Sequence, residues 1–130
     1  MIKLTINQIT NIFPTLSSLM NQNFSGATAF KIARMARELG KEVDTFDKER
    51  MKLIEKYSER DDNGQIKTDE SGNVKVMQSA VQDCNNEFND LLNQEVQINA
   101  ELLPSSILDT LQDVTPTQML SIEPIINFNE

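Results

Sequence analysis

The side chains able to do chemistry in this 130-residue chain are carboxylates and one thiol, because histidine is absent. Without imidazole, the usual general base, nitrogen metal ligand and triad partner are all missing. Cys84 lacks the base that would make its thiol a nucleophile. Its position on an apolar helical face reads as a small buried hydrophobe. The densest oxygen ligands are Asp61-Asp62 and Asp69-Glu70, with Asn63, Ser71 and Asn73 beside them. A calcium loop needs Gly at its sixth position and Glu at its twelfth. Counted from Asp61 those positions are Ile66 and Gly72, and from Asp69 they are Val74 and Ala80. Magnesium on the same carboxylates is the weaker variant of this reading, since acids on polar faces are solvated by default. The four glycines lie singly or in turns, so neither a phosphate-cradling loop nor a dinucleotide fingerprint is present. The expectation is a non-enzymatic chain with no catalytic residues, no cofactor and no metal.

The element that positions everything else is a long helix expected over residues 25–60. Ala29, Ile32, Ala36, Leu39, Val43, Phe46, Leu53 and Tyr57 recur at alternating steps of three and four, interrupted by Arg50. This is a heptad seam, which turns one narrow apolar stripe toward a partner helix. Arg50 on that seam reads as a specificity device or a snorkelling side chain. Ahead of it, Thr5 is the expected N-cap of a first helix over 5–22, kinked or divided by Pro14. Asn63-Gly64 and Asp69–Gly72 read as turns, giving a small β-hairpin over 64–77 at the tip of the long helix. Ser79 and Gln82 read as a capping box opening a third helix over 79–97. Its seam residues Val81, Cys84, Phe88, Leu91 and Ile98, with Glu95 in the same register and Leu92 beside it, place it antiparallel to the long helix, Tyr57 near Val81 and Phe46 near Leu91. The helical pattern fades from Val96, and Val96-Gln97-Ile98 also reads as extended. The first helix then covers the early half of the long one. Residues 98–130 form an apolar arm of short helices, one capped by Thr115 with Pro116 and Gln118. Whether the arm packs back on the helices or docks on another subunit stays open. No internal repeat is read. The predicted fold is mainly α in one domain, 1–130: an antiparallel helical hairpin built on one long helix, with short C-terminal helices.

Charge divides the chain. Every Lys and Arg lies at or before Lys75, while residues 76–130 carry nine acids and no basic side chain. The last part therefore repels phosphate, which argues against nucleic-acid binding. It either meets a basic partner or complements the chain's own basic helix. Arg34, Lys41 and Lys48, one heptad apart, form a basic stripe on the outer face of the long helix, interleaved with acids. The single cysteine allows no internal disulfide and fits a reducing compartment. Neither a signal-peptide pattern nor an apolar run of about 18 residues is present, so a soluble chain made inside a cell is expected.

The order of elements, from Lys31-Ile32-Ala33-Arg34 and Arg50-Met51-Lys52-Leu53-Ile54-Glu55-Lys56-Tyr57 through the acidic hairpin to Leu91-Leu92-Asn93-Gln94-Glu95-Val96 and Leu120-Ser121-Ile122-Glu123-Pro124-Ile125-Ile126, resembles a group of small uncharacterised tailed-bacteriophage proteins. The similarity covers roughly residues 29–126 and carries no assigned activity. It implies a phage origin and expression in a bacterial cytoplasm, with the virion as a further location. In that setting two roles follow. One is a virion structural or assembly component acting through protein contact, its partner phage-encoded or a second copy. The other is an acidic intracellular inhibitor of a host defence or nucleic-acid enzyme. The residues expected to meet a partner are Arg34, Lys41 and Lys48 on the helix, and Leu102, Leu103, Ile107, Leu111, Met119, Leu120, Ile125 and Ile126 on the arm.

Overall fold

Thr5 both ends a strand and starts a helix. In the computed structural model, which describes residues 1–129, β1 (Ile2–Thr5) runs directly into α1 (Ile6–Leu19). The Thr5 hydroxyl accepts from the Gln8 N–H at 3.1 Å, and Gln8 Oε1 accepts from the Thr5 N–H at 2.9 Å. Two of the N–H groups a helix start leaves open are thus satisfied. Pro14 does not divide α1, which stays one helix with the proline exposed. After a turn, α2 (Gly26–Lys56) begins directly behind Ser25 and runs for 31 residues, about 46 Å of rise. The chain is mainly helical, with one small antiparallel sheet. It divides into two compact units, and α2 contributes to both.

The first unit comprises Met1–Val43 and the chain from Gln94 onward. Its core is set by helical spacing. Ile9, Ile12, Leu16 and Leu19 on α1, and Ile32, Met35 and Leu39 on α2, are fully buried. The ring of Phe13 lies against Gly40, so α1 does reach the early half of α2. The arm completes the cover: Ile98, Leu103, Ile122 and Ile125 are also fully buried. β1 pairs antiparallel with β2 (Glu95–Ile98), Leu4 opposite Val96 and Ile2 opposite Ile98. This corrects the expected third helix, which stops at Leu92. Val96 and Ile98 are β-branched and alternate inward with exposed Glu95 and Gln97, a strand's pattern. Further on, β3 (Leu103–Pro104) pairs parallel with β4 (Ile126–Asn127). Between them stand a 3-10 turn (Ser105–Asp109) and α4 (Pro116–Ser121). Thr115 and Gln118 form the expected capping box, with Pro116 in the first turn. The Ser121 hydroxyl donates to Thr15 Oγ1 at 2.9 Å, giving that buried threonine a partner on the arm.

The second unit is Asp44–Asn93. It holds the later turns of α2 and α3 (Val81–Leu92), which follows a 3-10 turn (Gln78–Ala80). The expected capping box at Ser79 and Gln82 is not formed, because Ser79 is inside that 3-10 turn and Ala80 precedes α3 without a side-chain cap. Phe46 meets Phe88 with ring centroids 5.9 Å apart, and Lys56 Nζ is 3.0 Å from Glu87 Oε1. The expected β-hairpin is more than a hairpin. α2 ends at Lys56 instead of near Glu59–Asp62, and the freed segment 57–60 joins as a third extended strip. Ser58 pairs with Val76, Arg60 with Ile66 and Thr68 with Val74, each antiparallel. The Glu59 N–H donates to Lys75 O (2.8 Å), the Lys75 N–H to Lys67 O (3.0 Å) and the Lys67 N–H to Glu59 O (2.9 Å). These three bonds close a ring, so each strip pairs with the other two. Two strands alone are marginal in water, and the third explains how the tip holds together.

Candidate interaction surfaces

The tip contains a repeat that the sequence reading missed. Asp61–Thr68 and Asp69–Val76 share one eight-residue pattern, with Asp at the first position, Gly at the fourth and Lys at the seventh. In each copy one carboxylate oxygen accepts two backbone N–H groups. Asp61 Oδ1 takes those of Asn63 and Gln65 at 2.9 Å, and Asp69 Oδ1 those of Ser71 (2.9 Å) and Asn73 (3.0 Å). Gly64 and Gly72 sit at φ +78° and +84°, a left-handed conformation open to glycine at little cost. The aspartates singled out for cations are therefore turn builders. Among the described residues, no group of three or more Asp, Glu, Cys or His side chains is placed to hold a metal.

The proposed partner residues fall into two sets. Leu103, Ile107, Ile125 and Ile126 are buried in the first unit, where they serve its core. Leu102, Leu111 and Met119 are half-buried, and Leu120 stands 69% exposed. Of the basic residues, Arg34 is half-buried and donates to Asn99 O at 3.2 Å, which ties α2 to the arm. Lys41 pairs with Glu38 at 3.2 Å, with Arg37 also within 3.5 Å of that carboxylate. Lys48 is exposed and belongs to the second unit. Arg34, the first member of the stripe, is thus spent inside the fold.

The acids after residue 76 are likewise divided. Asp83, Glu87 and Asp90 lie in the second unit, and Glu95, Glu101, Asp109, Asp113 and Glu123 in the first. Glu130, the ninth, lies outside the described residues. Three of them meet lysines: Glu87 with Lys56 (3.0 Å), Glu95 with Lys3 (3.7 Å) and Glu101 with Lys31 (3.6 Å). None of the three partners belongs to the Arg34, Lys41, Lys48 stripe. At Lys56 the contacts form a small polar cluster. Its ammonium also sits 5.1 Å over the Tyr57 ring, within cation–π range. The hydrogen bond from Lys56 holds the Glu87 carboxyl below its ordinary value, with burial opposing. The same bond raises Lys56, while burial raises Tyr57.

Large apolar side chains also remain in solvent. Phe30 is 67% exposed on α2, beside Lys31, Arg34 and Glu101. Met51 and Val81 are each 42% exposed in the second unit, and Phe128 is exposed near the C-terminus. No described helix is long and apolar enough to cross a membrane. Against protein-family models, curated proteins and solved structures, the chain finds no match.

Proposed function

We propose that this chain acts through protein contact, without catalysis, as a structural or assembly component of a bacteriophage virion. The observation that carries the contact role is the large apolar side chains left in solvent on helices: Phe30, Met51, Val81 and Leu120. Aromatic and Met side chains are enriched where protein surfaces meet, and Phe30 and Met51 are held on a helix. The phage setting rests on the resemblance of residues 29–126. The later turns of α2 and α3 are taken as an antiparallel helical hairpin, which the Phe46–Phe88 contact and the bond from the Met77 N–H to Tyr57 O (2.8 Å) support.

The inhibitor reading needs a continuous anionic face. Three of its acids are instead paired with Lys3, Lys31 and Lys56, so it has less support. The test is mass spectrometry of purified virions and of assembly intermediates from the phage that encodes the chain. Presence in stoichiometric amount supports the assembly role. Absence from both, with capture of a host enzyme by the tagged chain, replaces it with inhibition.

A further inference from the structure

Of the thirteen asparagines in the chain, Asn63 alone is followed by glycine. That dipeptide is a turn signal, and it is also a reactive pair. A glycine nitrogen has no neighbouring side chain to keep it from the asparagine carboxamide. Its attack there closes a succinimide ring and expels the side-chain nitrogen. Asn63 and Gly64 are both exposed. A Cβ built on Gly64 would meet nothing within 4 Å, so no packed neighbour obstructs the ring.

The turn holds this nucleophile in place. The Gly64 N–H donates to Asp61 O at 2.9 Å. Asp61 Oδ1 accepts the N–H groups on either side of it, from Asn63 and Gln65, each at 2.9 Å. Arg60 Nη1 donates to Gly64 O at 3.3 Å. Attack therefore requires the turn to open. The second copy of the eight-residue pattern makes the same turn, the Gly72 N–H donating to Asp69 O at 3.0 Å. It carries Ser71 where the first carries Asn63. The second turn has the geometry without the carboxamide.

We infer that Asn63 is a site of spontaneous deamidation whose rate is set by opening of the Asp61 turn. In the opened turn the Gly64 nitrogen bonds to Asn63 Cγ and the Cγ–Nδ2 bond breaks. The Gly64 proton leaves with that nitrogen as ammonia. Water then adds to one or the other carbonyl of the succinimide, giving aspartate or isoaspartate at position 63. Where opening and closing outpace the reaction, the rate follows the population of the opened turn. Either product adds a negative charge beside Asp61 and Asp62. Isoaspartate also lengthens the main chain by one carbon, so Asp61 Oδ1 loses its two-fold grip. The Arg60–Ile66 pairing that the turn joins is loosened with it.

The inference stands apart from the assembly role, and its test needs only the purified full-length chain. The chain is incubated in mildly alkaline buffer, and intact mass is followed with peptide maps that distinguish isoaspartate from aspartate. Product is expected at position 63 alone, with isoaspartate in excess. Guanidinium chloride, which opens every turn, is expected to speed its formation at least tenfold. Asp61→Ala is expected to speed it at least threefold without denaturant, with unchanged helical circular dichroism. Asp61→Asn keeps the acceptor and is expected to stay near the wild-type rate. Asn63→Ser, which copies the second turn, is expected to give no product. A folded wild-type chain still unmodified at 63 when the Asp61→Ala chain has been converted overturns the inference. So does product spread over other asparagines, or a rate that Asp61→Ala and guanidinium chloride leave unchanged.

Discussion

Asp61 and Asp69 show how a side chain suggestive of a metal site can be occupied by its own backbone. Each carboxylate oxygen already accepts two N–H groups, as a helix-capping residue does. Replacing either by Ala is expected to cost about 1 kcal/mol, measured by urea denaturation of the full chain. Asn keeps the acceptor and is expected to cost much less. Equal losses for Ala and Asn would assign the effect to charge instead of to the turn. Glu87 makes a second residue-scale prediction. Its carboxyl is held below the ordinary 4.5 chiefly by the Lys56 hydrogen bond. The folded state therefore gains stability that is fully present above pH 4.5 and lost as pH falls through the lowered value. Lys56, raised above 10.5 by the same bond, gains below that pH and loses as pH rises through its folded value. Glu87→Gln is expected to flatten both limbs, seen as a smaller melting-temperature drop between about pH 6 and pH 2. If the wild-type and variant curves run parallel there, the pair contributes nothing to stability.

At the scale of elements, local rules hold where nothing distant competes with them. The Thr5 and Thr115 caps need only the next three residues, and both form where their sequence places them. The end of α2 is different. Tyr57 continues the apolar row, so the pattern runs on past the helix. The ring of bonds through Glu59, Lys67 and Lys75 draws that segment into extended pairing instead. Likewise Glu95 keeps the register of α3, but β1 takes Glu95–Ile98 as a strand partner. The eight-residue repeat of Asp, Gly and Lys was open to reading in advance, as a period in polar residues instead of apolar ones. The exposure of Met51 was hidden for a related reason: it lies off the heptad row, and exposure depends on which flank a neighbour leaves bare. Gly40 offers a test of helix packing. A Cβ there would lie 3.6 Å from the Phe13 ring, an ordinary contact distance. Gly40→Ala is therefore expected to stabilise the chain by up to about 1 kcal/mol, read from the thermal or urea midpoint. A loss instead would mean that Phe13 cannot tolerate the methyl.

For the whole molecule, the uneven distribution of core predicts uneven stability. Every one of the largest fully buried side chains belongs to the first unit, although α2 is continuous through both. Backbone amides open locally wherever few apolar contacts hold them. Native-state hydrogen exchange is thus expected to place α1 and residues 32–39 near the global unfolding limit. Residues 81–92 are expected to exchange through a smaller opening. Truncation should follow the same divide. Leu39→Ala, at a fully buried site, is expected to cost about 2–5 kcal/mol, and Leu53→Ala, half-buried, distinctly less.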